Sequence, residues 1–170
     1  MAQSEKPDAV ALLKKDHDEV QQLFKDFEKA SGDGRKEKLA RQICRELTIH
    51  AMIEEEIFYP ACDGKVEEDL LKEGYVEHDA AKLMIAEIEA GAPSDEFYDA
   101  KMKVLCEEID HHIEEEEKRM EGLFAQARKA GLDMDSLGEQ LARRKAELLK
   151  ETESGPLPTP ELTTMSEAKV

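Results

Sequence analysis

The sequence predicts an all-α fold, an up-down-up-down four-helix bundle followed by an additional C-terminal helix and a disordered tail. Three observations carry that prediction. Glu, Lys, Leu, Ala and Met, all strong helix formers, are abundant, while β-branched residues are few and Trp is absent. Chain breakers cluster at a handful of places, leaving segments of roughly 20–35 residues whose apolar residues recur three and four apart. The two halves of the bundle region also repeat one another, as an αα-hairpin packed on its twin would.

The breakers are Gly32-Asp33-Gly34, Pro60 to Gly64, Gly91-Ala92-Pro93-Ser94, Gly131-Leu132-Asp133, and Gly155 to Pro160. The first helix is expected from about Pro7 to Ala30, with Pro7 in its first turn and an inward stripe of Leu13, His17, Val20, Phe24 and Phe27. The second, about Arg35 to Tyr59, carries Ile43, Leu47, His50, Glu54 and Ile57. The third, about Val66 to Ala90, carries Leu71, Tyr75, His78, Ala81, Ile85 and Ile88. The fourth is expected to start near Ser94, whose hydroxyl can cap it, and to run towards Ala130 with Leu105, Ile109, His112, Glu116 and Leu123 inward. Short connections make sequential helices antiparallel neighbours. A fifth stretch, about Asp135 to Glu151, turns Leu137, Leu141, Leu148 and Leu149 to one side, to pack on the bundle or on a partner. The organisation is therefore a bundle over residues 1–130, an amphipathic helix over 131–152 and a flexible, solvated tail over 153–170.

The repeat selects four of the five histidines. Asp16-His17-Asp18 is answered by Glu77-His78-Asp79, and Ile43-Cys44-Arg45-Glu46-Leu47 precedes His50 as Leu105-Cys106-Glu107-Glu108-Ile109 precedes His112. His50 follows His17 by 33 residues and His112 follows His78 by 34. In this register His112 is inward, and His111, about 100° around the helix, is a flanking polar residue.

His50 and Glu54 form H-x-x-x-E, as do His112 and Glu116. A spacing of four puts imidazole and carboxylate on one helical face, within reach of one metal centre, and His17 and His78 each add a nitrogen from an odd-numbered helix. A single buried histidine is more often a hydrogen-bonded core residue than a ligand. Two such pairs plus two lone histidines at equivalent repeat positions are much harder to explain that way. Six ionisable groups on apolar stripes are costly to bury uncompensated. Neutral imidazole with carboxylate favours iron, manganese or zinc over calcium or magnesium, and Glu54 and Glu116 could each bridge two ions. Ferritin-like di-iron oxidases rank lower, because they use Glu-x-x-His and need glutamate where this chain has histidine.

Over about residues 8–130 the segments LLKKDHDEVQQLF, LTIHAMIEEEIFYPA, YVEHDAAKLMIAEIE and IDHHIEEEEKRM resemble the hemerythrin-like family, the HHE cation-binding domains. The resemblance implies a four-helix bundle around two iron ions with a bridging oxo or hydroxo group. It implies His17, His50, Glu54, His78, His112 and Glu116 as ligands, and other transition metals can occupy such a donor set on purification. Oxygen-carrying hemerythrins have a further ligand histidine four residues after the helix-3 one, where this chain has Lys82, and an aspartate with different spacing in place of Glu116. The asymmetric oxygen-carrier site is therefore not reproduced, and a centre with two histidines per iron is better suited to reacting with hydrogen peroxide, nitric oxide or oxygen than to holding oxygen reversibly. Tyr75, one turn before His78, could supply a phenolate or a hydrogen bond to the ligands, or be a core tyrosine. Asp79 or Glu55 could shift in to complete the coordination.

The expected function is binding of or reaction with small oxidants, hydrogen peroxide, nitric oxide or oxygen, and the activity to assay first is catalase-like peroxide decomposition or the handling of nitric oxide and oxygen. The alternative is a non-enzymatic iron- or oxygen-sensing module in which the fifth helix and tail report to a protein partner or a homodimer; the third is a purely structural bundle. Of the 170 residues, 41 are acidic and 24 basic, a formal charge of −17. That balance argues against a nucleic-acid or anionic-membrane partner. No apolar run approaches a membrane span of about 20 residues, and the N-terminus lacks a secretory signal. Three cysteines read as reduced thiols in a cytoplasmic protein, Cys44 and Cys106 as small core residues and Cys62 as a loop thiol. Met84, Met102 and Met120 read as gap fillers, and Arg143-Arg144-Lys145 as a basic patch pairing with the acidic bundle.

Overall fold

A computed structural model describes residues 6–166. Its helices are α1 (Ala9–Lys29), α2 (Asp33–Ile53), a π-helical turn (Glu54–Phe58), α3 (Tyr59–Cys62), α4 (Glu68–Ala90), α5 (Tyr98–Glu117), α6 (Leu123–Lys129) and α7 (Met134–Glu151). Neighbouring pairs α1–α2, α2–α4, α4–α5 and α5–α1 close a four-membered ring, the expected bundle. Among the described residues no helix is long and apolar enough to cross a membrane.

The helix ends show where local chemistry decided. Pro7 lies just outside α1, and Asp8 is the cap, its carboxylate accepting from the Ala11 amide at 2.8 Å. Asp133 caps α7 in the same way through Ser136. The fourth long helix does not begin at Ser94. Asp95 accepts the Ala92 amide at 2.8 Å and holds a turn, so helix starts only at Tyr98. Nor does that helix reach Ala130. It ends at Glu117, the chain reverses through Met120 in the left-handed region (φ 72°), and the short α6 follows. The break seats Leu123, Phe124 and Ala127 in the core and leaves Met120 80% exposed, so Met120 fills no gap.

Two apolar clusters make up the core. One gathers Leu13, Ile53, Phe58, Leu71, Phe124 and Leu141; the other gathers Val20, Phe24, Ile43, Leu47, Ile85 and Leu105. Helices α1, α2 and α4 cross from one cluster to the other, whereas α5 lies in the second and α6 continues into the first. Where the clusters meet, the chain carries buried ionisable residues: His17, His50 with Glu54 at the start of the π turn, His78, and His112 with Glu116. The fold thus contains one buried polar layer between two apolar ones.

The C-terminal helix packs on α1, α2 and the π turn, with Leu137, Leu141 and Leu148 buried there. The apolar face that a partner or homodimer would need is thus occupied within the chain. Arg144 pairs with Glu56 and Lys145 with Asp16, as expected of the basic patch. The tail is not free through its described length. Leu157 packs against the second apolar cluster, and the backbone amides of Thr163, Thr164 and Met165 converge on the Asp79 carboxylate at 2.6–2.9 Å. An apolar anchor and an anion held by several amides order a segment whose composition alone reads as solvated.

The approach of α7 to α1 depends on Gly138, where an added Cβ would lie 2.8 Å from the Pro7 carbonyl oxygen and 2.9 Å from the Ala9 nitrogen. Gly138→Val should cost about 1–3 kcal/mol and lower Tm by about 2–4 °C for each kcal/mol. Thermal unfolding followed by circular dichroism checks this, and an unchanged Tm would show that α7 is not closely seated.

Candidate metal centre

All six residues singled out by the repeat meet in the polar layer. His17 and His50 face each other with Nε2 atoms 3.1 Å apart, and His78 and His112 do the same at 3.2 Å. The two glutamates tie these pairs together. Glu54 places Oε1 3.0 Å from His50 Nε2 and Oε2 3.0 Å from His78 Nε2. Glu116 places Oε2 3.3 Å from His17 Nε2 and Oε1 3.2 Å from His112 Nε2. The result is two buried quartets, His17–His50–Glu54–Glu116 and Glu54–His78–His112–Glu116, which share both carboxylates. His111 is exposed and lies outside them.

Every imidazole presents Nε2 inward, and its Nδ1 faces a carboxylate. His50 Nδ1 meets Asp16 at 3.0 Å and His112 Nδ1 meets Glu77 at 3.1 Å. His78 Nδ1 meets Glu55 at 3.2 Å, and His17 Nδ1 lies 3.7 Å from Glu117. These four acids obey the repeat. Asp16 and Glu77 precede the odd-helix histidines, and Glu55 and Glu117 follow the two central glutamates. Such partners fix the tautomer and aim of an imidazole that binds metal through its other nitrogen. Their signal was present in the sequence, as acidic residues at matching repeat positions.

Tyr59, rather than Tyr75, is the phenol at this cluster. Its hydroxyl donates to Glu116 Oε1 at 2.6 Å and lies 3.3 Å from His78 Nε2, with its ring stacked on His78. Burial together with Glu116 and Glu54 raises its pKa well above the usual value, so it stays a neutral donor. Tyr75 lies outside, its ring edge-on to that of Tyr59. The π turn explains the difference. Five residues of α-helix would turn Tyr59 about 140° away from Glu54, but the extra residue absorbed by a π turn returns it to the same face. Pro60, which offers no N–H to the preceding turn, follows the irregularity. At the other pair the ring stacked on the odd-helix histidine is Phe124 on His17, so one quartet has a hydroxyl and its twin does not.

Neither Asp79 nor Glu55 completes the cluster. Asp79 is turned to the tail, and Glu55 holds His78 from outside. Lys82, at the position of the missing histidine, donates to both oxygens of Glu55 at 3.0 and 2.9 Å and to Asp79 at 3.2 Å. The thiols take no part. Cys62 ends α3 wholly buried rather than lying in a loop, and burial pushes Cys44 and Cys62 up to about 12.

The donor set fits transition-metal cations. Both oxygens of wholly buried Glu54, Glu116 Oε2 and His17 Nδ1 take part in no hydrogen bond among the described residues. Facing imidazole nitrogens that share carboxylates are what a pair of cations would satisfy. Without metal, protons must do that work. Burial opposes the charge on His50, but Glu54 and Asp16 outweigh it and hold its pKa up to about 10. Burial and Glu54 both oppose ionisation of Glu116, but His112 and His17 outweigh them and hold it down to about 2. The stability from His50 is therefore full below about 6.5 and lost as pH rises through about 10. That from Glu116 is full above about 4.5 and lost as pH falls through about 2. Metal-stripped protein should accordingly show its highest Tm between about pH 4.5 and 6.5, with His50→Gln flattening the alkaline decline. A Tm that keeps rising to pH 9 would contradict the ion-paired metal-free cluster.

Comparison with known proteins agrees with this geometry. Residues 8–124 match the hemerythrin HHE cation binding domain. A crystal structure of a hemerythrin HHE cation binding domain-containing protein from Mycobacterium kansasii superposes with a TM-score of 0.72 at 21% identity, covering 85% of this chain and 89% of that one, which establishes the shared fold. A protein named DNA nickase from Nostoc is 28% identical over 109 residues, 64% of this chain, and the matched part is only 31% of that protein's length. From the family match over most of its length and the buried histidine–glutamate cluster able to bind metal, the chain is identified as a member of the hemerythrin HHE cation binding domain family.

Proposed function

We propose that the chain is a non-haem di-iron protein that reacts with small oxidants, hydrogen peroxide first, in a reducing cytoplasmic setting that its unpaired thiols suit. His17 and His50 would hold one ion, His78 and His112 the other, and Glu54 and Glu116 would span both. The observation that carries this reading is the pair of quartets sharing two carboxylates, with oxygens that no donor among the described residues satisfies. When bound, a pair of irons supplies one-electron redox and Lewis-acid chemistry.

The chain's own residues prepare that chemistry. Asp16, Glu55, Glu77 and Glu117 aim the imidazoles from outside, and Lys145 and Lys82 neutralise the first two of these acids, so the orienting groups stay anionic without leaving a buried charge unpaired. The apolar clusters border the layer above and below. Tyr59 holds a proton 2.6 Å from Glu116 and within 3.5 Å of His112 Nε2, on one side of the layer only. A neutral phenol there can donate a hydrogen bond to a small molecule at the His78–His112 side, whereas Phe124 leaves the other side apolar. The −17 charge supports a small-molecule rather than a nucleic-acid partner.

A sensing role is the second reading. Its support is that α7 and the tail both touch the orienting acids, Lys145 on Asp16 and Thr163 on Glu55, so events at the centre have a route to the C-terminal segment.

Iron-loaded protein assayed for peroxide consumption separates the two. Many turnovers per centre, lost in Glu54→Ala and lowered about 10–100-fold in Tyr59→Phe, are expected of the first reading. A single stoichiometric reaction would favour the second. His50→Ala and His112→Ala should each lose bound iron and His111→Ala should keep it, measured by elemental analysis. Equal losses in all three would refute the assignment of His112 as the inward residue.

A further inference from the structure

Between α2 and α4 lies a cavity of about 960 Å³. Its floor is the imidazoles of His50, His78 and His112, its walls include Leu47, Ile85 and Ile109, and its roof is the tail from Gly155 to Glu161. The roof is held at both ends by polar contacts. Arg45 Nε donates to Thr152 Oγ1 at 2.9 Å where the tail leaves α7. At the far end Lys82 donates to the Glu161 carbonyl oxygen at 2.9 Å, and Asp79 gathers the three amides that follow. Between these points stand Pro156, Pro158 and Pro160, which have no backbone N–H to leave unsatisfied over an apolar space. The tail therefore spans the groove, with Leu157 turned inward against the second apolar cluster.

The size of this space is out of proportion to peroxide or a diatomic gas, which need only about the 30 Å³ of a water molecule. It lies within the range of about 300–1,000 Å³ typical of sites for organic ligands, and its lining sets apolar residues such as Leu47, Met52, Ile85, Ile109 and Leu157 among polar and charged ones. It follows α2 from Arg41 to Met52, about 16 Å at 1.5 Å per residue, and continues beside the π turn to Glu56, a length that suits an extended hydrocarbon chain. The charges around it are mostly spent. Arg41 pairs with Glu37 and Glu89, Lys82 with Glu55 and Asp79, and Glu56 with Arg144; Glu161 is exposed on the roof. Arg45, half-buried in the wall, donates only to Thr152 and to the Leu149 carbonyl oxygen and pairs with no carboxylate among the described residues.

We propose that this chamber is a binding site for an aliphatic carboxylate of medium to long chain. The Arg45 guanidinium receives the carboxylate, and the hydrocarbon lies along α2 beneath the proline roof. The site goes beyond the oxidant reading and does not depend on it, because only the imidazole floor is shared. It is expected in metal-free and iron-loaded protein alike.

Calorimetric titration of the full chain, with and without iron, with octanoate, decanoate, dodecanoate and dodecanol below their micellar concentrations tests the proposal. Saturable one-to-one binding of dodecanoate is expected, tighter than octanoate and at least tenfold tighter than dodecanol. Arg45→Gln should remove the preference for acid over alcohol, and Arg45→Lys should keep most of it. No saturable heat with any of the acids, equal affinity for acid and alcohol in the native chain, or undiminished preference in Arg45→Gln would each overturn the proposal. If Arg45→Gln fails to fold, the acid–alcohol comparison in the native chain decides alone. Failure of iron to bind while dodecanoate still does would refute the di-iron reading and leave this site standing.

Discussion

Six ionisable groups buried in one layer between two apolar clusters are the constraint on which the rest of the structure depends. Glu54 has no exposed surface, and His17, His50, His78, His112 and Glu116 have almost none. A buried charge is tolerated only with its counter-charges in place, and removing one partner of such a set costs on the order of 3–5 kcal/mol. The layer cannot then be read as an incidental polar patch. Each long helix must present its donor at the same height, which fixes the register of all four helices against one another. The outer acids must be neutralised in turn, and Lys145 and Lys82 draw α7 and α4 into that work.

The approximate two-fold symmetry organises these demands economically. One hairpin supplies an acid–histidine pair on its first helix and a histidine–glutamate–acid set on its second, and the other hairpin repeats it. Symmetry fails where the connections differ. After Glu54 the helix absorbs a π turn and brings Tyr59 onto His78; after Glu116 it stops, and Phe124 arrives on His17 from α6. The two halves of the centre therefore hold the same donors in different surroundings. The half with the phenol is the half whose two histidines floor the α2–α4 chamber.

The bundle and the six central residues were legible because both rest on periodicity. Apolar spacing located the helices, and the repeat told His112 from His111. The features that escaped do so for physical reasons. Tyr59 was hidden by arithmetic that assumes 100° per residue, which a π turn violates. The end of α5 is marked by the single Gly122, where an added Cβ would lie 2.6 Å from the Lys118 backbone. A lone glycine in a helical pattern is a weak signal, and the close turn it permits seats Leu123 and Phe124 in the core. The tail reads as solvated because its composition is polar and proline-rich, and only the fold reveals Asp79 as the anion that gathers its amides. The orienting acids Asp16, Glu77, Glu55 and Glu117 were readable in principle, since they sit at matching repeat positions, but a chain with 41 acidic residues offers many such coincidences.

The central claim is that the buried layer is a two-cation centre built from both hairpins. Anomalous diffraction at the iron edge from crystals of the iron-loaded chain tests it most directly. The account predicts two separate peaks in the layer, one ligated by His17 and His50 and the other by His78 and His112, with Glu54 and Glu116 reaching both. A single peak, or no peak within the layer while iron sits elsewhere on the acidic surface, would contradict it.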